Sequence, residues 1–220
     1  MLVRLYSEWI LDVGMAVTGE LSEKSSLRRD NRRPQLLDAA AHSFRLQGYA
    51  AASMRDIATG AGMKAGSMYY YSPSKADLLI AVHEEGIRRI SDAVKAATMA
   101  AVDPWTRVQA AMSAHLKILL DGGDYVRVVI RELPLDNTAV REQLIPLRDE
   151  YEAQFTALFD DLPLVDGVSR RHLRLLVLGA LNWSQTWYRP GGDSPDEIAD
   201  AFLGMLKPLV DMRAKPVPAK

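Results

Sequence analysis

No cysteine occurs among the 220 residues, which excludes disulfides, thiolate metal sites and cysteine nucleophiles together. No run of about 18 apolar residues occurs, so no membrane-spanning helix is expected. A basic start followed by an apolar region and a small-residue cleavage site is also missing, so the N-terminus does not read as a secretory signal. Four histidines (His42, His83, His115 and His172) lie on different expected helices, without H-x-x-x-H spacing. Phosphate-binding loops and the G-x-S-x-G elbow are lacking too, so nothing argues for an enzyme, a metal or a cofactor. No strand, repeat or low-complexity segment stands out. A reducing, cytoplasmic setting is compatible with these absences.

The composition is that of an ordinary globular protein, with 48% hydrophobic and 25% charged residues. Its net charge of −1 hides a segregation of sign. Between Lys24 and Lys75 there are nine lysines and arginines against three acids, Asp30, Asp38 and Asp56, a local +6. The rest of the chain therefore carries −7. A basic head on an acidic remainder is the electrostatic footprint of a phosphate binder.

Within that head, Ser53 to Lys75 organises the chain. Ser53 with Asp56 reads as a helix start, the hydroxyl capping first-turn N–H groups and the acid meeting the positive end of the dipole. Ile57, Ala58 and Ala61 form a short apolar face, and Gly60 and Gly62 end the helix. A second short helix is expected from Ala65 to Tyr71, closed by Ser72-Pro73. Two such helices across a glycine turn make a helix-turn-helix, whose second helix fits a DNA major groove. Ala65, Gly66 and Ser67 are small where the backbone would approach base edges. Arg55 and Ser67 sit near the groove-facing ends of the two helices, and Lys64, Tyr69, Tyr70, Tyr71 and Lys75 are further candidate DNA contacts. Tyr69 and Lys75 read as phosphate ligands, and Tyr70 also as packing for the small domain.

Over Arg32 to Leu79, the three helices, the glycine turn and the Tyr-rich run ending in Ser-Lys resemble the DNA-binding domain of the tetracycline-repressor (TetR) family. Ser72 stands where that family has an aromatic or large aliphatic residue, and Tyr70 or Tyr71 is expected to cover the contact. The resemblance implies an all-α protein: an N-terminal three-helix DNA-binding domain and a C-terminal helical domain for ligand binding and dimerisation. It also implies a homodimer on a palindromic operator, usually a repressor, released when a small molecule enters the C-terminal domain. The expected divisions are an extension over 1–30, the DNA-binding domain over 31–77, the helical body over 78–212 and a tail over 213–220. Met15 would be a natural start, making residues 1–14 an over-extension. Lys24 to Arg33 reads either as a basic arm along the DNA backbone or as a disordered tail.

In the body, Ser74 with Asp77 opens a long helix with Leu79, Val82, Gly86, Ile90 and Val94 inward. Asp103-Pro104 starts the next, with Val108, Met112, His115 and Leu119 inward, and Gly122-Gly123 breaks it. A short helix over Tyr125 to Leu133 stops at Pro134, and Asn137 to Asp160 forms another long one, kinked at Pro146. Ser169 to Tyr188 is apolar on nearly every side, and Ser194-Pro195-Asp196-Glu197 is a full capping signature before Ile198 to Asp211. These last two helices carry more apolar surface than a body of this size can hide, so Leu176, Ala180, Ile198, Phe202, Met205 and Leu206 are expected in a dimer interface.

The segment Asn182 to Gly192 is similar to one in family members that sense acyl-CoA thioesters, and it reads equally as a stable helix terminus. It suggests a medium- or long-chain acyl-CoA, or a related CoA thioester, as effector in a tunnel lined by Met112, His115, Leu116, Leu147, Tyr151, Trp183 and Trp187. Arg127, Arg131 and Arg189 are the candidate cations for a CoA head, or else ordinary surface ion-pair partners. Two alternatives remain: a regulator of the same fold sensing an unrelated hydrophobic compound, and an all-α interaction protein that does not bind DNA.

Overall fold

A computed structural model describes residues 32–121, 123–131 and 138–211. The expectations for the N-terminal extension, most of the basic arm, Gly122, Leu133-Pro134, Asn137 and the Pro-rich tail fall outside the described residues. The rest is helical: α1 Arg33–Ala51, α2 Met54–Gly60, α3 Ala65–Met68, α4 Lys75–Thr98, α5 Pro104–Leu120, α6 Asp124–Arg131, α7 Thr138–Asp160, α8 Arg170–Trp187 and α9 Pro195–Val210. Among the described residues, the sole β-type pairing is an isolated bridge between Leu164 and Asp211.

Local chemistry sets the helix starts. The side chains of Ser53, Ser74, Asp103, Ser169 and Ser194 each accept a hydrogen bond from the N–H three residues on. Ser194 and Glu197 complete a reciprocal capping box. The turn after α2 is equally specified. Gly62 has φ +62°, its N–H donates to the Thr59 carbonyl and the Met63 N–H to that of Ala58. This is a Schellman ending, which needs a left-handed residue. Gly48, at φ +78°, breaks the helical backbone inside α1.

Two apolar cores hold the chain. The head core joins Leu36, Phe44, Ile57 and Met68 with Leu78, Leu79 and Val82 from α4, and it also takes in Tyr125, Val128, Val140 and Leu144. The body core is built around α5, with Met112, Leu116 and Leu119 fully buried against Phe155, Leu158 and Phe159 of α7 and Leu173, Val177 and Leu181 of α8. Helix α4 belongs to both: Leu78 to Val82 enter the head core, Ile90 and Val94 the body core. Helix α7 runs through Pro146 as one element.

Gly86 is where α4 and α6 come closest. A Cβ there would lie 2.6 Å from Val129 Cγ2 and 3.1 Å from the Tyr125 carbonyl oxygen. The side chain could yield, but the carbonyl can move only with the α6 backbone. Gly86→Ala should therefore act as an overpacking substitution, costing about 2 kcal/mol and lowering the melting temperature by roughly 5 °C. Unchanged melting would show that the two helices have slack.

Candidate nucleic-acid interface and effector cavity

The recognition helix α3 is held from beneath by one side chain. Met68 is fully buried in the head core, and the backbone turns back onto its carbonyl, which accepts the Tyr71 and Ser72 N–H groups at 2.8 and 3.0 Å. Lys64, Ala65, Gly66, Ser67, Tyr69 and Tyr70 are all exposed, as is Arg55 on α2. A Cβ at Gly66 would meet nothing within 4 Å, so the start of α3 is open to close approach. This is the outward face the sequence suggests. The helix itself is shorter than expected, since the residues from Tyr69 to Tyr71 form turns.

Of the two tyrosines expected to cover the contact left by Ser72, one does. Tyr70 is 61% exposed and does not pack the domain. Tyr71 does so instead, half-buried against the head core with its ring edge-on to Tyr70 at 5.8 Å. Ser72 is buried, and its hydroxyl donates to the Ser74 carbonyl.

Lys75 is corrected as well. Its ammonium donates to the carbonyls of Tyr49, Ala50 and Ala52 at 2.7, 3.1 and 3.0 Å and lies over the Tyr49 ring at 4.6 Å. All three of its N–H donors are thereby committed to the chain leaving α1, a charge-assisted cap rather than a free phosphate ligand. Lys75→Met should cost about 2 kcal/mol of stability before any DNA is added. A free rim lysine would leave the melting temperature where it is.

The body holds a cavity of about 220 Å³ between α4, α5, α6, α7 and α8. Its walls are mainly apolar, including Ile87, Ile90, Val129, Ile130 and Leu178. One polar relay crosses it: the Tyr151 hydroxyl donates to His115 Nδ1 at 2.6 Å, and His115 Nε2–H donates to Asn182 Oδ1 at 3.1 Å. His115 also stacks on Tyr151 and meets Phe155 edge-on. Burial holds the imidazole down to about 4, with the Asn182 hydrogen bond pulling weakly the other way. Burial likewise raises the Tyr151 phenol well above its ordinary range. The relay is neutral at neutral pH, and its tautomer is fixed.

Of the residues expected to line a tunnel, His115 and Tyr151 do so. Met112 and Leu116 are buried in the body core without lining the cavity, and Leu147 packs beside the head core. Trp183 and Trp187 are 68% and 44% exposed, on the outside of α8. Periodicity shows that α8 is apolar all round, but not which side its own chain covers. Arg127, Arg131 and Arg189 do not line the cavity; the cation that does is Arg148. Its ion pair to Glu152 is loose at 3.6 Å, and Glu152 also faces Arg174 at 3.8 Å. Arg148 lies one helical turn before Tyr151, and that i, i+3 spacing is the signal in the sequence that the two share a face.

Helix α6 connects this cavity to the head. Val129 and Ile130 form part of the cavity wall. At its other end, Asp124 pairs with Arg45 and with His42 Nδ1, and the Tyr125 hydroxyl donates to Asp38 Oδ1 at 2.8 Å. Burial first, and then this bond, raises the Tyr125 phenol. Arg89 of α4 covers the Tyr125 ring at 4.1 Å.

The sequence matches the profile of bacterial regulatory proteins of the tetR family over residues 36–82, and the tetracyclin repressor-like C-terminal domain over residues 101–210. The chain belongs to the TetR family. The transcriptional repressor KstR2 of Mycobacterium tuberculosis is 30% identical over 189 residues, covering 80% of this chain and 92% of that protein. The transcriptional activator FasR of Mycolicibacterium smegmatis is 27% identical over 183 residues, 82% of each chain. AibR, solved with isovaleryl coenzyme A and operator DNA, superposes with a TM-score of 0.71 at 23% identity, covering 79% of this chain and 97% of that one. That last likeness concerns the fold. As a TetR-family protein the chain is a DNA-binding transcriptional regulator. None of its described helices is long and apolar enough to cross a membrane.

Proposed function

We propose that this TetR-family protein is a homodimeric repressor that binds a near-palindromic operator and leaves it when a small effector enters the cavity. A CoA thioester is the proposed effector class. The observation that carries the reading is α6: one short helix walls the cavity with Val129 and Ile130 and bolts onto α1 through Asp124 and Tyr125. An effector that moves α6 must either drag the head or break those bonds. Only differential affinity for two head positions can shift DNA binding, and a shared wall supplies a route to it.

The DNA contacts are proposed at the exposed face, with Arg55 and Ser67 reading bases and Lys64, Tyr69 and Tyr70 touching phosphates and sugars. Arg148, exposed beside the cavity and loosely paired, takes the cation role for the CoA end. That a structural neighbour holds isovaleryl coenzyme A and operator DNA on the same fold supports the class.

The experiment is a gel shift on the protein's own promoter region with a titrated panel of acyl-CoA thioesters. Retarded DNA released by a thioester is the expected result. Retardation that no thioester reverses, while an unrelated hydrophobic compound does, would remove the CoA effector and leave the regulator. No retardation of any duplex, specific or not, would remove both.

A further inference from the structure

The proposed effector class can be narrowed by what the cavity asks of its occupant, an argument that rests on the cavity being the effector site. A volume of about 220 Å³ lies above the ~150 Å³ that accommodates benzene and below the ~300–1,000 Å³ of drug-sized pockets. A long alkyl chain exceeds it. The interior is also not uniformly apolar, and the polarity of its relay is readable. Tyr151 spends its proton on His115, and His115 spends its own on Asn182 Oδ1. The side chain of Asn182 is thus left with its N–H₂ group to offer an occupant, and that group is a donor only.

An alkyl end would desolvate this donor without replacing the water lost, a penalty that an acceptor oxygen avoids. A carboxylate end is disfavoured at Asn182, because the relay there carries no positive charge and Glu152 lies in the same wall, with Arg148 and His83 also lining the cavity. We infer that the effector inserts a short, uncharged end bearing a hydrogen-bond acceptor, such as a keto group, which accepts from Asn182. Of the effectors expected from the sequence, this favours a compact, oxygenated CoA thioester over a medium- or long-chain alkyl one.

The test is calorimetric titration of the full chain with hexanoyl-CoA, 5-oxohexanoyl-CoA and stearoyl-CoA, the first two differing in one keto oxygen. About tenfold tighter binding of the keto thioester is expected in the wild type, corresponding to one satisfied hydrogen bond. Asn182→Leu should reduce that ratio to about one. Asn182→Asp keeps the shape and the acceptor for His115 but removes the amide donor, and should abolish the preference too, so the inference does not hang on one variant folding. Equal binding of the two six-carbon thioesters by the wild type would overturn the inference, as would a preference that survives Asn182→Leu.

Stearoyl-CoA releasing DNA while both six-carbon thioesters are inert would also overturn it, and would leave the CoA-responsive repressor intact. Methyl hexanoate and methyl 5-oxohexanoate, followed by protein NMR, separate the remaining case. A keto preference among these esters with no thioester binding at all would support the oxygen-accepting cavity and remove the CoA reading instead.

Discussion

Glutamate at Leu176 and Met205 together should turn the protein into monomers and weaken operator binding by about 10²–10⁴-fold. Leu176, Ala180, Trp183 and Trp187 fall at i, i+4, i+7 and i+11 on α8, one continuous stripe. Within the chain, Leu176 is 58% and Trp183 68% exposed, and on α9 Met205 and Leu209 are 61% and 72% exposed. Trp187 meets Phe202 edge-on at 6.4 Å, which joins the two helices into one surface. A monomer does not present two tryptophans, two leucines and a methionine side by side without a use for them.

A second copy related by a two-fold axis would cover this surface as a four-helix interface. Ile198 does not belong to that surface: it is buried within its own chain, and Phe202 and Leu206 lean on the body core and are only half available. The size of the predicted loss comes from linkage. Two joined heads bind two half-sites with a high effective concentration, and separate heads do not. Sedimentation and a gel shift on the same samples provide the check. A double variant that still sediments as a dimer would move the interface elsewhere.

The second large effect is on acid stability. An unfolded histidine titrates near 6.5, whereas burial holds native His115 down to about 4. Between those values the unfolded chain binds a proton that the native state refuses. Stability from this group is therefore complete above about pH 6.5, falls as the pH drops, and stops falling below about pH 4. At 1.36 kcal/mol per pH unit the whole loss is about 3 kcal/mol. Urea unfolding at about pH 7.5 and about pH 4, for wild type and His115→Gln, isolates the effect. The wild type should lose about 3 kcal/mol more than the variant over that interval. His83, also buried, is common to both proteins and cancels from the difference. Equal losses would mean that His115 is solvated or charged in the native protein.

What could be read from the chain alone depended on how local its cause was. The caps at Ser53, Ser74, Asp103 and Ser194 act within three residues, and the structure forms each where the sequence places it. The inward faces of α4 and α5 follow from helical spacing, which is how His115 reached the cavity. The role of Lys75 is not legible in the sequence because its acceptors lie 23 to 26 residues earlier, at the C-terminal end of a different helix. A lysine beside a basic head looks like a phosphate ligand until those carbonyls are in view. Trp183 and Trp187 were misread for a different reason. A helix apolar on every side has two possible partners, its own body and a second chain, and spacing cannot divide residues between them.

The head core contains Tyr125, Val128, Val140 and Leu144, residues that lie 46 to 65 positions beyond Leu79 in the chain. The helices of the head therefore share one side of their apolar interior with α6 and the start of α7. Their amides should exchange with solvent only as fast as α6 and the start of α7 open, so the slowest-exchanging protons of α1 and of α6 should report one shared opening free energy. A fragment ending after α4 should keep most of its core but be less stable and bind DNA more weakly, even though it contains every residue of the outward face. One side of the head core is thus closed by the same helix that walls the cavity.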